Sequence, residues 1–265
     1  MKRVLKGPPP RLLQKYLSIN PVATWDQMRD DNAQGGYRAA HSCRDQAMND
    51  QGNICAYCEQ KMSLNGHSRP QVEHFHQKSD RGGSHNWGLD WRNMLAVCDG
   101  GSRSSKEDRI EHPLPQNLSC DAHKNHVKGL PVDCEGYLLN PLDIPPFPNL
   151  FVFDKATCCI KPNEVACSLV EIPKNTYETT TELVAHTIEI LNLNCNRLVK
   201  KRQLHMWNID HLKKVLRQRG ISPTKMHEKL IYRYFGTKWP EFFTTLRCCL
   251  GEVVESYLMS IDYKG

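Results

Sequence analysis

Two groups of residues in this chain are spaced for chemistry: cysteines suited to a soft metal, and an acid-histidine pair suited to moving a proton. Cys55 and Cys58 stand in CAYC with the tight spacing of a zinc hairpin, and Cys98 and Cys120 follow in AVC and CDAHK. Four cysteines fill a tetrahedral zinc and leave no position for water, so such a site is structural. Twenty-one residues separate Cys98 from Cys120, yet closure depends on where the chain ends arrive, and a long loop is compatible with it. His123 and Cys134 are open alternatives for the fourth ligand, and plain buried thiols are the competing reading of Cys98 and Cys120. Between the cysteines lie Val72-Glu73-His74-Phe75 and then Trp91-Arg92-Asn93-Met94. An imidazole can take a proton from water near neutral pH, and a neighbouring carboxylate offers hard oxygen to a divalent cation.

The elements that must position these residues are legible in outline. Residues 23 to 51 read as helical with an interruption near Gly35 and Gly36, so 1-51 is expected to be a basic arm and helical scaffold. Residues 52-132 are rich in Gly, Ser, His and Asn, a composition that rarely builds a core unaided and that a bound metal would stabilise. Residues 133-177 alternate apolar and polar positions around a Pro-rich break and read as a hairpin connector. Residues 178-265 read as a basic helical region. Its apolar positions Leu183, Ile188, Leu191, Leu198, Leu204 and Trp207 recur at helical spacing, and Pro223 opens a last helical segment reaching about Leu258.

Composition narrows the class. The chain has 265 residues, 39% of them hydrophobic, and no apolar run approaches the length of roughly 20 residues that a membrane span needs. Its start, MKRVLKGPPPRLL, lacks the apolar stretch of a secretory signal, so a cytoplasmic location with reduced thiols is expected and metal ligation leads among uses for twelve cysteines. Cys158 with Cys159 and Cys248 with Cys249 are read as core or surface thiols without function. The net charge of +6 is concentrated late: residues 196 to 265 hold 14 Lys and Arg against 6 Asp and Glu, whereas 46 to 132 holds 10 of each. Lys200, Lys201, Arg202, Lys213 and Lys214 lie in the densest stretch and are candidates for tracking a phosphate backbone, against the competing reading of a solvated helix face. Trp207, Arg233 and Trp239 are read as packing residues.

CAYCE, VEHF, WRNMLAVC and CDAHK together resemble the HNH, or ββα-metal, endonucleases over about a quarter of the chain. The resemblance implies an α+β fold: a zinc-stabilised ββα-metal core flanked by an N-terminal helical segment and a largely α-helical C-terminal region. It puts His74 at the general base, Glu73 at a ligand of a catalytic Mg2+ or Mn2+, Asn93 at the loop-pinning position, Asp121 at the second metal ligand and Lys124 where a lysine contacts phosphate. Asp121 departs from the usual His or Asn, and Gln77 stands where the family often has Pro. His76, two positions beyond His74, is an auxiliary candidate ligand.

Beyond the motif, the leading MKRVLKGPPPRLL, the helix running into GNICAYCEQKM, the insertion before CDAHK and the later GYLLNPL and LNLNCNRLVKKR resemble the PtuB-type nucleases of Septu and retron antiphage systems. That resemblance implies a nucleic acid substrate, DNA or tRNA, a PtuA-like ATPase partner and, in a retron, a reverse transcriptase with its msDNA. The alternative from another class is a zinc-bearing nucleic-acid-binding adapter without catalysis, which leaves Glu73 and His74 unexplained.

Overall fold

The computed structural model describes residues 1-64, 68-80, 83-131, 133-236 and 239-265. Three helices come first: α1 (Arg11–Ile19), α2 (Trp25–Asp30) and α3 (Gly36–Asp50). The Thr24 side chain and the Gln27 side chain cap α2 reciprocally, satisfying backbone donors that the helix start leaves free. The break expected near Gly35 and Gly36 separates α2 from α3. Helix α3 buries the small residues Ala39, Ala40, Cys43 and Ala47, which let it approach the next element closely.

That element is an antiparallel pair, β1 (Pro70–His74) and β2 (Met94–Cys98), with Glu73 opposite Leu95 and His74 opposite Met94. All of β2 is buried. The Gln51 side chain closes one edge of β2, accepting from Ala96 N at 2.9 Å and donating to Ala96 O at 2.7 Å. After β2 come α4 (Lys106–Glu111) and the short α5 (Cys120–Lys124), which packs against β2 to complete a strand-strand-helix unit.

Downstream, β3 (Phe151–Asp154) and β4 (Cys159–Pro162) form the expected hairpin, followed by α6 (Glu164–Cys167), α7 (Thr180–Ile190), α8 (Asn196–Gln218), α9 (Pro223–Phe235), α10 (Phe243–Leu250) and α11 (Glu252–Ser260). The helical run expected through Leu183 to Trp207 is therefore two helices, separated at Leu191 to Cys195. The expected last segment is three, broken at Phe242, which has a left-handed backbone at φ 52, and at Gly251. One hydrophobic cluster joins α3, β2, α7 and α10.

Two expectations for α8 are corrected. Leu204 and Trp207 are more than half exposed, whereas Leu198, Arg202, Ile209 and Leu216 are buried. Those four share the inward stripe of the helix, so position on the helix overrides side-chain polarity. No described helix is long and apolar enough to cross a membrane.

Candidate active site

The four sulfurs of Cys55, Cys58, Cys98 and Cys120 converge in the interior. The separations are 3.8 Å for Cys55 to Cys120, 3.6 Å for Cys58 to Cys98 and 3.7 Å for Cys98 to Cys120. A tetrahedron with zinc-sulfur bonds of about 2.3 Å has edges of about 3.8 Å, so the cluster has room for a tetrahedral ion at its centre. Disulfides are excluded, because they need sulfurs about 2 Å apart. The tight turn at Cys55 to Gln60 is closed by Cys55 N to Gln60 O at 2.9 Å, and Cys98 N donates to Cys55 Sγ at 3.3 Å.

The long insertion meets its own start at one point. Ser119 N donates to Gly100 O at 3.0 Å, and a Cβ on Gly100 would lie 2.1 Å from Ser119 O, so only glycine lets the two ends of the loop touch. This contact delivers Cys120 back to Cys98. His123, an alternative fourth ligand, instead donates Nδ1–H to Ile190 O at 2.8 Å, and Cys134 lies on the wall of a separate cleft. Arg197 escaped the sequence reading as part of this centre. Its guanidinium bonds Gln60 at 3.0 Å and Ser119 at 2.7 Å; burial opposes its charge, and the surrounding cysteine sulfurs outweigh burial and raise its pKa.

The cleft beside β1 and α5 encloses about 560 Å³ and is lined by Glu73, His74, Asp121 and Lys124, together with Trp25, Arg29, Lys78 and Cys134. His74 is buried, with its ring against the edge of Trp25 at 4.8 Å. Its Nε2 lies 3.0 Å from Gly88 O. A carbonyl only accepts, so Nε2 carries the hydrogen and Nδ1 is left as the basic nitrogen. Burial pulls the His74 pKa down to about 4, which keeps the ring neutral at ordinary pH.

Glu73 meets Lys124 in a buried ion pair and the Tyr57 hydroxyl at 3.4 Å. Burial pushes the Glu73 carboxyl above its ordinary value, with Lys124 opposing the push and Asp121 adding to it. Lys124, despite burial, is held above its ordinary value by Glu73. An ammonium against a carboxylate is the state consistent with their contact, so Glu73 is an anion that depends on a nearby cation. Asp121 is half-buried on the same wall and accepts from Asn125 Nδ2 at 2.8 Å. Two carboxylates on one wall of a polar cleft are a fitting oxygen donor set for a hard divalent ion.

Asn93 does not face the cleft. Its Oδ1 accepts from His76 N at 2.7 Å, and its Nδ2 donates to His76 O at 2.9 Å and Trp87 O at 2.8 Å. It therefore ties the chain leaving β1 to the loop entering β2. His76 is corrected: β1 ends at His74, so strand alternation does not extend to it, and its ring turns away toward Glu135 and Asp80.

The basic tract divides. Lys200 and Lys214 are exposed, Lys201 and Lys213 half-buried, with Lys200 paired to Glu111 and Lys213 donating to Cys249 O at 3.2 Å. Arg202 is corrected as a nucleic-acid contact: it is 2% exposed, donates to Leu193 O and lies 5.8 Å over the Phe242 ring. Arg29 and Lys78, on the cleft itself, were not singled out from sequence. Their signal is only spatial, because α2 and the loop after β1 meet at the cleft.

No family model matches the chain. An Escherichia coli protein named as a candidate HNH endonuclease of retron Ec83 is 37% identical over 255 residues, covering 93% of this chain and 92% of its own length. The chain belongs to the HNH endonuclease family. Membership accords with the α+β architecture, with a buried four-cysteine group able to hold a metal, and with a metal-dependent nuclease chemistry.

Proposed function

We propose that this protein is the nuclease effector of a retron antiphage system, hydrolysing phosphodiester bonds in DNA or tRNA with His74 as the general base. The observation that carries the reading is the meeting of β1 and α5 at one cleft, where a neutral imidazole with a free Nδ1 stands beside two carboxylates. In this reading Cys55, Cys58, Cys98 and Cys120 hold a structural zinc, and Glu73 and Asp121 hold Mg2+ or Mn2+. Such an ion, when bound, neutralises charge on the scissile phosphate and leaving oxygen. His74 Nδ1 takes the proton of the attacking water, and the Nε2–H bond to Gly88 O fixes the tautomer and aims the ring. Lys124 holds Glu73 until substrate arrives and then turns its charge to phosphate, with Arg29 and Lys78 receiving the flanking backbone. Asn93 is a positioning residue.

The relative's name places that protein in a retron, which supports a cytoplasmic complex here with reverse transcriptase and msDNA. The PtuB resemblance adds a PtuA-like ATPase. Duplex DNA, single-stranded DNA and tRNA presented to wild type and His74→Ala in the assembled complex, with magnesium, manganese or EDTA, test the reading. Cleavage that needs both the divalent ion and His74 supports it; a His74→Ala protein that cleaves like wild type overturns it.

A further inference from the structure

His76 lies 3.0 Å from Glu135 Oε2 and 3.8 Å from Asp133 Oδ1 through Nδ1, and 2.7 Å from Asp80 Oδ2 through Nε2. Its ring stacks flat on Trp87, with centroids 3.9 Å apart and planes 11° apart. Both of its backbone polar groups are held by Asn93. Little freedom is left to this imidazole. Nε2 faces Asp80, while Nδ1 faces Glu135 and Asp133, so one imidazole nitrogen and two carboxylates meet at one point. Such a meeting is held together by a shared cation, a proton on Nδ1 or a metal ion in its place.

We infer that His76, Asp133 and Glu135 form a second, non-cysteine metal site for a divalent first-row transition ion, separate from the Glu73 and Asp121 wall. The three donor atoms lie within 4.8 Å of one another. Ligand bonds of about 2.0 to 2.2 Å put donor atoms about 3 to 3.6 Å apart, so the group must draw together around the ion, and Asp133, whose side chain is 63% exposed, is the member able to move. Asp80 supplies the outer carboxylate that orients ligating histidines and raises their basicity. Imidazole nitrogen selects manganese, iron or zinc over magnesium. The exposed Asp133 gives the ion an entry path and leaves positions for water. The bound ion joins the 133-135 connector to the chain leaving β1, two residues beyond His74.

The test uses the full chain with its four-cysteine site loaded, titrated with Mn2+ and followed by the electron paramagnetic signal of the free ion. Wild type, Asp121→Asn and Asp133→Asn/Glu135→Gln are compared. The expected result is a bound Mn2+ that persists in Asp121→Asn and is weakened at least tenfold in the double variant, with Mg2+ unable to displace it at equal concentration. Nitrogen-15 spectra of wild type read the site without any variant: Mn2+ broadens the His76 Nδ1 resonance first. Uptake unaffected by the double substitution, absence of uptake in Asp121→Asn, or a His76 ring protonated on both nitrogens in the presence of Mn2+ would each overturn the inference. Failure of the catalytic reading leaves these results untouched, since none depends on cleavage.

Discussion

Replacing Asn93 with alanine removes a side chain that makes three hydrogen bonds in a 5% exposed position, two of 2.7 and 2.9 Å to His76 and one of 2.8 Å to Trp87. Each bond contributes about 1 kcal/mol net, and an unpaired buried partner costs about 1 to 3 kcal/mol more, so a loss of about 3 to 4 kcal/mol is expected once water reaches part of the opened space. For a chain of this length, that lowers Tm by roughly 6 to 16 °C. Asn93→Asp is the sharper perturbation. It keeps shape and volume and the bond from His76 N, but it turns a carboxylate oxygen toward the carbonyls of His76 and Trp87, so it should be no more stable than the alanine variant at neutral pH. Both should lose cleavage, because the chain leaving His74 loses its tether, while metal at the four cysteines stays at the wild-type level. Calorimetry, metal analysis and cleavage assays on the three proteins check this. An aspartate variant as stable as wild type would refute the account of Asn93 as a double donor to carbonyls.

His74→Ala is expected to lose about 10² to 10⁴ in cleavage rate while metal at the four cysteines is retained, with melting lowered by the lost packing on Trp25 and the lost bond to Gly88 O; single-turnover assays, calorimetry and metal analysis read it. Cys120→Ser, or a strong chelator on wild type, should unfold the region around β2, since structural zinc contributes on the order of 10 kcal/mol to such folds; circular dichroism and metal content read it. Lys200→Ala with Lys214→Ala should reduce the slope of log affinity against log salt by up to about 2 if both residues contact phosphate, whereas Arg202→Ala should lower stability instead. Burial pulls the Lys6 amine down to about 7, its ammonium lying 3.2 Å over the Trp91 ring, while the unfolded chain keeps that proton to about 10.5. The unfolded state therefore binds more protons between those values, stability from this group rises with pH across that window, and Lys6→Met should flatten the rise in urea midpoints measured at pH 7, 8 and 9.

What the sequence could express was local. The Cys-x2-Cys turn and the β3 and β4 hairpin rest on short-range spacing and alternation, and each is present, whereas the β1 and β2 pairing is implied by the resemblance to HNH nucleases and is present too. What it could not express was which neighbour each polar side chain would find. Arg202 reads as one more cation in a basic run, yet it shares an inward stripe with Leu198 and Ile209, so packing assigned it to the interior. Lys124 reads as a phosphate contact, yet it meets Glu73 from 51 residues away. His76 looks like a cleft residue only if β1 continues past His74, and the Asn93 bonds are what end the strand's geometry there.

The two halves of the candidate site are mechanically one object, through β2. Its first residue, Met94, pairs with His74, and its last, Cys98, faces the sulfurs of Cys58 and Cys120. Cys120 opens α5, which carries Asp121 and Lys124 to the cleft within a single turn. An ion held by the four cysteines would therefore fix the distance between the strand that bears the base and the helix that bears the second carboxylate. Helix α5 has five residues, too few to hold itself in place by its own hydrogen bonds. Its anchors are Cys120, whose backbone donates to Leu191 O at 2.8 Å, and the His123 bond to Ile190 O. Loosening the cysteine centre should thus move Asp121 away from Glu73 before it disturbs β1, and divalent-ion affinity at the cleft should fall before the fold is lost.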